Sequence, residues 1–255
     1  MTATRDWNAA CYDRVSAPQL EWGTEVLGRL PLRGDETVLD AGCGSGRVTE
    51  LLADRLPEGR VIAVDGSAAM VETAREKLGE SAEVLCSDLL QLDFDEPVDA
   101  VISTATFHWI ADHELLFRRL AAVLCEDGRI EAQCGGEGNV AELVAAVAEV
   151  GSRDPYVEHL ASLKNPWNFA GPAETEARLL EAGFTDVNCW LEEKPTQPAS
   201  PREFVATVTL GAHLEALPAE LHDEFVDAVM ERLPEPFELR YVRLNISARK
   251  RPIAA

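Results

Sequence analysis

The stretch VLDAGCGSG, residues 38–46, decides how the rest of the chain is read. Its first half, Val38 to Ala41, is short and apolar but for Asp40, as a buried strand is. Its second half spaces Gly42, Gly44 and Gly46 two apart, and VTELLADRL (48–56) then shows helical periodicity. A strand passing through a glycine turn into a helix lets the turn's backbone approach a ligand closely. Dinucleotide folds use G-x-G-x-x-G and set a pyrophosphate on the helix N-terminus. Here the spacing is G-x-G-x-G, and Asp40 stands just before it. A carboxylate beside the turn disfavours phosphate and suits a ligand carrying an ammonium or sulfonium group.

Outward from this loop, strands and helices alternate. RVIAVDGS (60–67) predicts a second strand, with Ser67 capping the helix AAMVETAREKL and Gly79 ending it. AEVLCSD (82–88), VDAVIST (98–104) and DGRIEAQC (127–134) predict three more strands, and HELLFRRLAAVL (113–124) an amphipathic helix. This rhythm predicts an α/β fold, a doubly wound and mostly parallel sheet. Beyond 135 come the helices GNVAELVAAVAEV and AETEARLLEAGF, a strand FTDVNCWLEE (184–193) and a loop at PTQPASP. Two helices follow, PREFVATVTLGAHLEAL and PAELHDEFVDAVMERL, and then FELRYVRLNISARK (237–250), a final antiparallel strand. One domain over 1–255 is expected, with 195–236 a helical insertion lacking its own core.

Bulk properties exclude several functions. The net charge of −22 repels nucleic acid, and RVR and RKR near the C-terminus do not amount to a basic strip. No apolar run reaches the ~18 residues of a membrane helix, and the first residues do not read as a signal peptide. The six cysteines form no C-x-x-C pair, which points to reduced thiols in the cytoplasm. No Cys/His/Asp cluster has metal spacing, so no metal is expected.

Two further acids join the loop. Asp65 ends the second strand about 20 residues beyond the glycines, where an acid can accept both hydroxyls of a ribose. Asp88 ends the third strand, where it can accept an adenine amine. Ligands of open α/β sheets bind at this carboxyl edge.

VLDAGCGSG, VIAVDGS, CSDLLQLDF and DAVISTATFHWI, in this order and spacing, resemble the class I S-adenosylmethionine-dependent methyltransferases of the trans-aconitate methyltransferase type. DWNAACY (6–12) and FHWIADH match that family's N-terminal helix and the aromatic segment after its fourth strand. The resemblance is strong over 35–135. It implies a Rossmann-like seven-stranded sheet with an antiparallel last strand, and S-adenosylmethionine as cofactor. It implies that Gly42 and Gly44 back the methionine part, Asp65 takes the ribose and Asp88 and Leu89 the adenine. Met70 packs on the adenine, Thr104 lines the floor, and residues 1–34, around Tyr12 and Gln19, form a lid.

The chemistry leaves the acceptor open. A small carboxylic acid is ionised at pH 7 and needs no base, whereas a phenol or amine wants one. His108 is therefore read three ways: a base, a donor orienting an acid, or a structural residue. Trp109 either donates to a carboxylate, with Gln19 as a second donor, or simply packs. His113 is expected in solvent at a helix start. LKNPWNF (163–169) offers Lys164, Asn165 and Trp167 as a substrate loop. Arg240 and Arg243 are read as sharing one face of the last strand, with Tyr241 on the other. The competing readings are an NAD(P)-dependent oxidoreductase and a non-catalytic cofactor-binding protein. A small-molecule acceptor, no nucleic acid, no membrane, and a monomer or homodimer complete the expectation.

Overall fold

The structure is a computed structural model, described over residues 17–252. Seven strands form one sheet: β1 Thr37–Ala41, β2 Arg60–Asp65, β3 Glu83–Cys86, β4 Val98–Thr104, β5 Leu124–Gly135, β6 Phe184–Thr196 and β7 Leu239–Lys250. Their order is β3-β2-β1-β4-β5-β7-β6. The first five run parallel, and β7 lies antiparallel between β5 and β6. The strand order therefore switches direction between β1 and β4, and a crevice opens at their carboxyl ends. This is the doubly wound sheet with an antiparallel last strand that the sequence predicts.

The helices are α1 Ala17–Arg29, α2 Arg47–Ala53, α3 Ala68–Leu78, α4 His113–Val123, α5 Ala141–Gly151, α6 Pro172–Glu181 and α7 His222–Met230. Capping follows the sequence. Ser67 Oγ accepts the Met70 N–H, Asp112 Oδ1 accepts the Leu115 N–H, and Gly79 closes α3 at φ +54°. These bonds satisfy backbone donors that a helix start leaves open.

Apolar residues bury both faces of the sheet. Leu39, Phe107, Phe117, Leu120 and Ile130 pack on one face, and Val26, Leu30, Val38, Leu52 and Ile102 on the other. Between β6 and β7, Phe204, Phe225 and Val229 form a third cluster with Trp22, Leu143 and Tyr241. The insertion thus shares its apolar contacts with α1, α5 and β7.

Three details depart from expectation. β6 continues beyond Glu193 to Thr196, with Pro195 opposite Arg240. Its place at the sheet edge makes the missing proline N–H harmless. Residues 201–217 are not one helix. Helical turns at Pro201–Phe204 and Gly211–Ala216 flank a wide π turn at Val205–Thr209, where the Leu210 N–H reaches the Val205 carbonyl at 3.0 Å. Finally, Arg240 and Arg243 do not share a face: Arg240 is exposed, while Tyr241 and Arg243 are both buried. A strand repeats every two residues, so 241 pairs with 243.

Cys43, Cys86, Cys125, Cys134 and Cys189 are free thiols, and Cys11 lies outside the described residues. Among the described residues, no helix is long and apolar enough to cross a membrane.

Candidate active site

The glycine loop is shaped from behind. Gly42 has φ +87°, and a Cβ there would sit 2.2 Å from both Thr106 Oγ1 and Thr106 Cγ2. The N–H groups of Gly42 and Cys43 both donate to the Val64 carbonyl, at 2.8 and 3.0 Å. Gly44, at φ +55°, would direct a Cβ into open space. Asp65 ties the loop to the next strand: its Oδ2 accepts the Gly44 N–H at 2.9 Å and its Oδ1 the Ser67 N–H at 2.8 Å. Burial raises the Asp65 carboxyl above the usual range, and those two N–H groups oppose the shift.

Asp40 sits behind the loop, outside the cavity wall. It is buried, and Thr49 Oγ1 donates to its Oδ2 at 2.7 Å. Burial pushes its carboxyl up to about 7; the Thr49 bond opposes that, and the charge of Asp65 adds to it.

A cavity of about 570 Å³ opens over the loop, a size usual for small-molecule sites (~300–1,000 Å³). Gly42, Gly44, Asp65, Met70, Asp88 and Leu89 line one end, with Thr104 beside them. Asp88 Oδ1 accepts the Leu90 N–H at 2.9 Å, which fixes the turn after β3. Gln19 of α1 also lines the cavity; its Oε1 is buried and has no hydrogen-bond partner among the described residues. Tyr12 lies outside the described residues.

The other end is built on the turn Phe107–Trp109. His108 and Trp109 both line the cavity. The Gly135 N–H donates to His108 Nδ1 at 3.2 Å. Burial, with the charges of Arg243 and His113, holds the His108 pKa well below 6.5. The ring is therefore neutral, and its one proton is on Nε2. His113 is buried, not solvated: its Nε2–H donates to the Phe107 carbonyl at 2.9 Å, which folds the ring back under the turn.

The segment 163–169 is fastened to this turn by Asn168. Its N–H donates to the His108 carbonyl at 2.8 Å, and its Nδ2 to the Ile110 and Ala111 carbonyls, both at 3.1 Å. Trp167 lines the cavity, but Lys164 and Asn165 are exposed and do not. Phe169, which the sequence reading passed over, stacks on Trp167 at 5.8 Å and 9°. Thr209 and Val208 arrive from the π turn, also unforeseen. From β7, Arg243 lines the cavity, its guanidinium 4.8 Å from the Trp22 ring centroid and its Nε 3.4 Å from Gln133 Oε1. Gln133 Nε2 in turn donates to Asn245 Oδ1 at 2.9 Å, so buried amides orient the guanidinium.

This fold, with a glycine loop and acids at the ends of successive strands, defines a class I S-adenosylmethionine-dependent methyltransferase. A methyltransferase domain model matches residues 38–128. The chain is 30% identical over 236 residues to a trans-aconitate 2-methyltransferase of Methylobacterium radiotolerans, covering 88% of this chain and 87% of that one. It is 29% identical over 240 residues, 92% of each chain, to a trans-aconitate 2-methyltransferase of Variovorax paradoxus. Among solved structures, a Haemonchus contortus phosphoethanolamine N-methyltransferase 2 in complex with S-adenosyl-L-methionine matches with a TM-score of 0.60 at 19% identity. That match covers 96% of this chain and 57% of that one, and it bears on the fold alone. The chain belongs to the trans-aconitate 2-methyltransferase family of S-adenosylmethionine-dependent methyltransferases. Its cofactor is S-adenosylmethionine. The residues present fit that group: open space over Gly44, the Asp65 carboxylate at the strand end, and the unpartnered Gln19 Oε1.

Proposed function

We propose that this enzyme methylates a carboxylate oxygen of a small acid. The observation that carries this reading is the bond from the Gly135 N–H to His108 Nδ1. It occupies the nitrogen that could accept a proton and leaves Nε2–H, a donor. A donor can orient a carboxylate, whereas a phenol or an ammonium acceptor needs a proton removed. The trans-aconitate 2-methyltransferases among its relatives support the same choice.

Within this reading, Gly42 and Gly44 leave room for the methionine part of the cofactor, and Asp65 and Asp88 face its ribose and adenine. Leu89, Met70 and Thr104 pack around the rings, Gln19 offers Oε1, and Asp40 supports the loop from behind. His108 Nε2–H and the Trp109 indole orient the acceptor, and Arg243 supplies positive charge. When bound, the cofactor supplies a methyl on a sulfonium. His108, Trp109 and Arg243 would hold a carboxylate oxygen in line with that methyl, which would pass to it while sulfur kept the bonding pair, leaving a methyl ester and a neutral thioether with no proton for the protein to move. Opposite charges cancel in this step, so excluding water favours it. Of the expected lid over 1–34, the part before residue 17 lies outside the described residues; residues 17–34 and the 195–236 insertion serve that exclusion, and holding the partners at attack distance contributes up to ~7–11 kcal/mol. The same reading places the enzyme in the cytoplasm, as a monomer or homodimer.

The test is incubation with methyl-labelled cofactor and panels of acids, phenols and amines. Base-labile labelled ester from the acids is expected; label found only on phenols or amines overturns the reading.

A further inference from the structure

Asn139 is buried and lines the cavity wall from the turn after β5, where its N–H donates to the Gly136 carbonyl at 2.9 Å. Its Oδ1 accepts the Val242 N–H at 3.0 Å, which fastens the turn to β7. That bond also fixes which way the amide faces. A backbone N–H can only donate, so the atom beside it is the oxygen and the other end is the nitrogen. Nδ2 carries two N–H donors, and among the described residues it donates to nothing. A buried donor left without an acceptor is costly. An aspartate would fasten the turn equally well, so the clamp alone does not account for the amide nitrogen.

Gly135 gathers donors of the cavity around it. A Cβ there would lie 2.8 Å from Asn139 Nδ2 and 2.7 Å from Phe169 Cε1, so only glycine lets the amide and the ring close in. The Gly135 N–H holds His108 through Nδ1 and leaves Nε2–H as that ring's donor. Across the ladder Gly135 pairs with Arg243, and residues directly opposite project to the same face. The amide thus stands with His108 and Arg243 in a row of donors suited to carboxylate oxygens. Its place in the row sets which part of the acceptor it meets. The strands β4 and β5 lie between β1 and β7, and neighbouring strands are ~4.8 Å apart. Asn139, tied between β5 and β7, is about 10–14 Å across the sheet from the glycine loop after β1. The oxygen that takes the methyl lies nearer that loop, so Asn139 meets the acceptor's far end.

We infer that Asn139 is a specificity-determining residue whose Nδ2–H groups donate to a second carboxylate of the acceptor, one that is not methylated. This rests on the carboxylate reading and deepens it: the acid carries at least two carboxylates, and Asn139 selects for the remote one. A contact of this kind is equally strong before and during the transfer, so it lowers KM rather than raising kcat.

The experiment measures ester formation by full-length enzyme with labelled S-adenosylmethionine and two unsaturated acids: trans-aconitate, and trans-2-hexenoate as a monocarboxylate of similar length. Wild type is expected to favour trans-aconitate in kcat/KM by at least about tenfold. Asn139→Asp keeps an oxygen for the Val242 N–H but replaces the donors with negative charge. It should cut the preference for trans-aconitate at least about tenfold, mainly through KM. Asn139→Ser removes the nitrogen without adding charge and should cut the same preference to a smaller degree. S-adenosylhomocysteine affinity, read in the same samples, should stay within about twofold and so report an intact fold. Losses equal on both acids, a loss confined to kcat, no loss at all, or a wild-type preference for trans-2-hexenoate overturns this inference and leaves the carboxylate reading standing. No ester from either acid overturns both.

Discussion

Asp40 allows the strongest physical test of the loop. Its carboxyl is buried and pushed from 3.8 up to about 7, chiefly by burial. A carboxyl with a raised folded-state pKa favours the folded protein fully below its unfolded pKa. That contribution is lost as pH rises from about 4 to about 7. The shift is about 3 units at about 1.4 kcal/mol each, so ionised Asp40 costs about 4 kcal/mol above pH 7. Asp40→Asn removes the titration, and its amide oxygen can still accept the Thr49 hydroxyl. Burying the new amide donors has a cost of about 1–3 kcal/mol that does not vary with pH. Urea unfolding of cofactor-free protein at pH 5, 6, 7 and 8 should show the variant gaining on the wild type by about 2.5 kcal/mol across the series, the first unit or so of the shift having been lost below pH 5. Other groups titrate in this window, His108 and His113 in the opposite sense, but they are common to both proteins and cancel in the difference. Parallel stability curves would refute the reasoning.

Asp65→Ala should weaken S-adenosylhomocysteine binding by about 1.5–3 kcal/mol, roughly 10- to 150-fold by calorimetry; unchanged affinity removes Asp65 from the site. Gly42→Ala places a Cβ against Thr106 and should cost about 2–4 kcal/mol, from overpacking and a strained positive φ. Gly44→Ala, with open space at its Cβ, should cost only the backbone strain of about 1–2 kcal/mol but lower cofactor affinity; denaturation midpoints in the reverse order would contradict the loop geometry. His108→Asn keeps an acceptor for the Gly135 N–H and should lower turnover while its pH profile from 6 to 8 parallels the wild type. A wild-type limb that vanishes in the variant would make His108 the base.

The glycine spacing, the alternation of strands and helices and the acids at strand ends were legible because each follows from local chemistry: a turn needs glycine, a buried strand needs a β-branched run. The acceptor end was less legible because tertiary contacts make it. Asn168 matters through carbonyls of the 107–111 turn, which no spacing within 163–169 reveals. The burial of His113 depends on the Phe107 carbonyl six residues earlier. The assignment of Arg243, by contrast, was recoverable: strand periodicity alone pairs it with Tyr241. Pro195 misled because proline marks a loop in most settings, and only its place in an edge strand lets the strand continue.

The π turn at Val205–Thr209 has a consequence for how such a pocket could diverge. A π turn amounts to one residue more than a regular helix would use there. Removing a single residue from it would let the helix close normally and swing the following positions round by about 100°, one residue's helical rotation. Thr209 and Ala212 would then turn from the cavity wall while other side chains replaced them. Acceptor choice in this scaffold is thus open to change by a one-codon deletion in the insertion, with the glycine loop and its acids untouched.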